Sequence, residues 1–63
     1  MLDKIEKHFG GQRALAEVLG VSVPAVSQWK ESGIPAFRAA QIERYSGGKF
    51  KTLDILKDQL KKG

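Results

Sequence analysis

Between Gln12 and Lys30 the chain reads QRALAEVLGVSVPAVSQWK, and this stretch limits the fold more than any other. Counting Gln12 as the first position, apolar residues fall at the fourth, eighth, tenth, fifteenth and eighteenth (Leu15, Leu19, Val21, Val26 and Trp29), with Ala16 at the fifth and Gly20 at the ninth. This is helix-turn-helix spacing. A small side chain at Ala16 lets the second helix approach the first, Gly20 supplies the tight turn, and the five apolar residues wedge the two helices at a steep angle. Ser22 is placed to cap the second helix of the pair, about residues 23–32. Pro24 then falls in its first turn, where a missing N–H costs little.

The remaining segments also carry helical spacing. Leu2, Ile5 and Phe9 share one face of a first helix, about residues 2–9, which Gly10 and Gly11 close. Ala14, Leu15, Val18 and Leu19 form the stripe of the second helix, and Gly33 closes the third. Pro35 suits the start of a fourth helix whose apolar side holds Phe37, Ala40, Ile42 and Tyr45, broken at Ser46-Gly47-Gly48. Leu53, Leu56 and Leu60, with Ile55 alongside, mark a fifth, with Thr52 as cap and Asp54, Lys61 and Lys62 matched to the helix dipole. The spacing therefore predicts an all-α domain of five short helices spanning residues 1–63. An α+β alternative is open at Gly47-Gly48, where a two-residue hairpin would pair Tyr45 with Phe50 and Ile42 with Leu53. It would set Arg44 against Lys51 and leave the leucine stripe unused.

Composition narrows function by exclusion. A chain of 63 residues hides only roughly 60% of its unfolded surface on folding, which leaves little room for a deep catalytic cleft. There is no cysteine for a disulfide, a thiolate metal site or a nucleophile. The single His8 has no clustered partners for a metal site and reads as an exposed helix residue. Seven scattered carboxylates and the absence of a phosphate-cradling glycine loop complete the case against an enzyme, and no cofactor, metal or small-molecule substrate is expected. No apolar run approaches the roughly 20 residues of a membrane span, and MLDKIEKHFGG has charges every few positions where a signal peptide would have an apolar core. A soluble protein of the cytoplasm is expected. Eleven Lys and Arg against seven Asp and Glu give +4, a field suited to polyanions.

The second helix of the pair turns Val26 and Trp29 inward, and Trp29 reads as a core residue. Its other side chains, Ser22, Val23, Pro24, Ser27, Gln28 and Glu31, face outward. They are small or amide-bearing, with one charge. Such a face fits a major groove, where amide and hydroxyl groups match base-edge donors and acceptors and apolar groups touch a thymine methyl.

The stretch HFGGQRALAEVLGVSVPAVSQWKESGIP, continued by IPAFRAAQIER, resembles the Cro repressors of lambdoid bacteriophages and related Cro-like regulators over nearly the whole chain, and is most similar to their all-helical members. Other members carry a C-terminal β-hairpin, so the resemblance leaves the alternative at Gly47-Gly48 open. It implies a lambda-repressor-like DNA-binding domain and a sequence-specific transcriptional repressor. Such a protein binds pseudo-palindromic double-stranded operator DNA as a homodimer, weak or monomeric in free solution, with its third helix in the major groove.

Carried over position by position, Val23, Pro24, Ser27 and Gln28 would face bases, with Glu31 at the edge of reach. Gln28 can make a bidentate contact to adenine. Gln12 would hold a phosphate at the start of the second helix, where the positive helix end assists. Gly11 departs from the hydroxyl cap common among relatives. Arg13, Ser22, Lys30 and Arg38 would lie along the DNA backbone, with Lys49 and Lys51 after them. A protein-interaction module or antitoxin-like regulator is the alternative. Such proteins usually expose an apolar or acidic third-helix face, unlike this one.

Overall fold

The computed structural model describes residues 1–60 and places five α-helices in them: α1 (Leu2–Phe9), α2 (Gln12–Leu19), α3 (Val23–Ser32), α4 (Ala36–Tyr45) and α5 (Thr52–Leu60). The all-α expectation holds, and no strand occurs among the described residues. The expected charges at Lys61 and Lys62 lie outside them.

Helix ends explain why the chain folds this way rather than into a hairpin. After α4, the N–H of Gly48 donates to the carbonyl of Glu43 at 2.8 Å and that of Gly47 to Arg44 at 3.3 Å, with Gly47 at φ 67°. Those two bonds satisfy carbonyls that a helix otherwise leaves unpaired, and they require the left-handed backbone that glycine adopts without a Cβ clash. The Gly-Gly pair therefore closes a helix. Gly20 does the same after α2, at φ 73°, with Val21 N–H donating to Ala16 O at 2.9 Å.

α2 lies at the centre, touching α1, α3 and α4, while α5 packs on α4. Ile5, Leu15, Val26, Ala39 and Ile42 have no exposed surface, and Ala16, Leu19, Trp29, Ile34, Phe50 and Ile55 complete the core. The HTH landmarks Leu15, Ala16, Leu19, Val26 and Trp29 are all in it, and Val21 packs against it half-buried. α4 and α5 run antiparallel, tied at both ends. Glu43 accepts the N–H and the hydroxyl of Thr52, both at 2.7 Å. At the other end Gln59 accepts the N–H of Ile34 and returns a hydrogen bond to its carbonyl at 3.2 Å. Thr52 is thus the first residue of α5 and not its cap, because its hydroxyl donates to Glu43 of α4 and its N–H is satisfied by the same carboxylate.

Several apolar residues expected inside are outside. Val18 is exposed, as are Phe37, Ala40 and Tyr45 on α4 and Leu53 and Leu60 on α5, and Leu56 is half-buried. The buried face of α4 is instead Ala39 and Ile42 with Ile34 just before the helix, and α5 contributes Ile55. Phe37, two positions before Ala39 and so about 200° away around the helix, faces solvent. Phe50, in the loop before α5, is buried in the core.

Candidate nucleic-acid interface

The geometry of α3 is set by its first turn. Ser22 has extended backbone, φ −80° and ψ 156°, and its Oγ accepts the N–H of Ala25 at 3.3 Å, while Pro24 occupies the first turn. The cap fixes where α3 begins, and burial of Val26 and Trp29 fixes its rotation. Together they decide which side chains face out: Val23, Pro24, Ser27, Gln28 and Glu31 are all exposed. Ser32 Oγ donates to the Gln28 backbone carbonyl at 3.1 Å, and the Gln28 side-chain amide is exposed with no hydrogen bond among the described residues.

These five side chains and Gln12, the first residue of α2, line one shallow concave surface. The structure thus brings every sequence-predicted base-facing residue to one place, together with the residue predicted to hold a phosphate. Gln12 is half-buried there, and its Nε2 is covered without a hydrogen-bond partner among the described residues. Gly11 precedes it with no side-chain cap, so the first N–H groups of α2 rely on partners from outside the helix.

The predicted backbone cations are less uniform. Arg13 projects into solvent, its Nε 3.7 Å from Glu17 across one helical turn, an exposed pair that holds it weakly. Arg38 is half-buried: Nη1 donates to the Leu19 carbonyl at 3.0 Å and to Gln41 Oε1 at 2.8 Å, and the guanidinium lies 4.5 Å from the centre of the Phe37 ring. It closes the C-terminal end of α2, where a cation suits the helix dipole. Sequence reasoning missed this role, because the contact joins residues 19 positions apart. Lys30 lies outside the groove and borders a cleft with Asp3, Asp58 and Gln59. Lys49 borders a separate hollow with Lys4, Lys7, His8 and Phe50, where the His8 ring meets Phe50 edge-on at 5.4 Å.

A capped, exposed α3 held against α2 by a buried wedge defines a helix-turn-helix domain with a solvent-facing second helix. The chain belongs to the family described as DNA-binding transcriptional regulator Cro, whose model matches residues 3–63. It is 52% identical to regulatory protein cro of Salmonella phage P22 over 44 residues, 70% of each chain. It is also 49% identical over 41 residues to the putative transcriptional regulator YdaS of Escherichia coli K12, covering 62% of this chain and 42% of that protein. No solved structure matches the chain.

Proposed function

We propose that this chain represses transcription by seating α3 in the major groove of operator DNA, in the cytoplasm of a bacterial host. The observation that carries this reading is the single surface formed by Gln12, Val23, Pro24, Ser27, Gln28 and Glu31. Gln28 offers the donor and acceptor pair that adenine complements, Ser27 accepts several bases, and Val23 and Pro24 offer apolar contact. Gln12 carries an unpartnered amide nitrogen, and after a rotamer change a phosphate oxygen would supply its acceptor. Arg13 extends the backbone contact along α2. Ser22 and Arg38 serve mainly by holding α2 and α3 in place, and Lys30 adds to the general field from the flank of α3.

Two copies act on one operator. The molecule measures 27 × 24 × 19 Å, enough for a single half-site, since adjacent half-sites lie about 34 Å apart. The outward side chains Phe37 on α4 and Leu53 and Leu60 on α5 are 63%, 69% and 79% exposed. They lie on helices outside the reading surface and supply the apolar contact for the second copy.

Replacing Gln28 with Ala tests the reading. In competition assays on a duplex selected for tight binding, the variant should lose discrimination at one base pair by about 1 to 3 kcal/mol while non-specific binding stays nearly constant. Equal losses on selected and scrambled duplexes would refute it.

A further inference from the structure

Glu31 stands out on the reading surface as its one charged side chain, and the charge has the wrong sign for a polyanion. It is exposed and forms no ion pair among the described residues, whose salt bridges join Met1 to Asp58 and Arg13 to Glu17. It also sits in the last turn of α3, one residue before Ser32, where the helix dipole disfavours an anion. Neither packing nor pairing compensates for it. In a chain of net charge +4, a carboxylate aimed at the ligand face lowers affinity for every phosphate it meets.

We propose that Glu31 is a discriminating residue: it suppresses binding to general DNA and accepts a hydrogen bond from a base amino group, that of cytosine, in the correct site. This rests on the DNA-reading assignment above. The chemistry follows from the group, because an ionised carboxylate only accepts hydrogen bonds. In the major groove cytosine N4 presents a donor without an adjacent acceptor on the same base, whereas adenine adds an N7 acceptor that would face the carboxylate. Position follows from helix geometry. Glu31 lies three positions after Gln28, a rise of about 4.5 Å along α3, close to the roughly 3.4 Å between successive base pairs. Glu31 therefore addresses the base pair next to the one that Gln28 reads, and rejects sites offering only acceptors there.

The test compares wild type, Glu31→Gln and Gln28→Ala on a selected duplex, with all four base pairs placed in turn at each position of one half-site. Wild type should favour cytosine at the position beside that altered by Gln28→Ala by about 10-fold. Glu31→Gln should flatten that preference, tighten binding to scrambled duplex severalfold and raise the urea midpoint of the free protein, since an anion is removed from a helix C-terminus. An unchanged base preference in Glu31→Gln, or an equal gain on selected and scrambled duplexes, would overturn the proposal. If Gln28→Ala still relaxes its own position in the same experiment, the DNA-reading assignment survives and this inference alone fails. If neither variant alters any position, the assignment itself fails.

Discussion

At the residue scale, two side chains separate holding the fold from reading a ligand. Arg38 was expected at the DNA backbone, yet its Nη1 is engaged by the Leu19 carbonyl and Gln41. Arg38→Ala should therefore lower stability by about 1 to 2 kcal/mol in urea unfolding, because a charged hydrogen bond at the end of α2 is lost. A variant that weakens DNA binding with an unchanged urea midpoint would instead make Arg38 a contact residue. Glu43 makes the second case. The Thr52 N–H, then the Thr52 hydroxyl, hold its carboxyl below the ordinary value of 4.5, aided by the charge of Lys51 and opposed by partial burial. A carboxyl with a depressed folded value stabilises the fold above its unfolded value, and that contribution disappears as pH falls through the folded one. The thermal midpoint of wild type should thus fall as pH drops through 4.5 and below. Glu43→Gln should show a shallower acid limb, and an identical limb would mean the Thr52 contact does not form.

Helix ends carry the argument at the scale of elements. A Cβ built on Gly20 or Gly47 meets nothing within 4 Å, so substitution there is opposed only by the positive φ. Gly47→Ala should cost about 1 to 2 kcal/mol in denaturant unfolding with no change in helix content by circular dichroism. A gain in strand signal would mean the segment belongs to a hairpin. Much of this level was legible in the sequence. Ala16, Gly20 and the five apolar positions between Leu15 and Trp29 each have a steric reason tied to one geometry, and all fell where spacing put them. The faces of α4 and α5 were harder. Hydrophobicity at Phe37, Tyr45, Leu53 and Leu60 has the same period whether the stripe meets a core or a partner. Ala39 carries too little apolar surface to signal that it is the buried contact. Phe50 sits in a loop, where helical period says nothing, and only the tertiary position of α1 brings His8 beside it.

At the scale of the whole molecule, that same ambiguity becomes informative. A small domain that leaves four large apolar side chains, Phe37, Tyr45, Leu53 and Leu60, exposed on α4 and α5 has surface to spare for the second copy proposed above. Replacing Leu53 and Leu60 together with Glu should leave the monomer folded, since neither is part of its core. Binding to a two-half-site duplex should fall to the affinity of a single half-site. Retained cooperativity, read from the Hill slope of a titration, would move the dimer contact elsewhere.

The central claim is that the surface built from Gln12 and the outward side of α3 reads duplex DNA by sequence. Selection of binding sites from random duplex DNA tests it most directly. The expected product is one recurrent sequence with inverted halves about one helical turn apart, whose binding weakens steeply as salt rises. Repeated rounds that enrich no sequence, while the folded protein still binds scrambled duplex equally well, would contradict it.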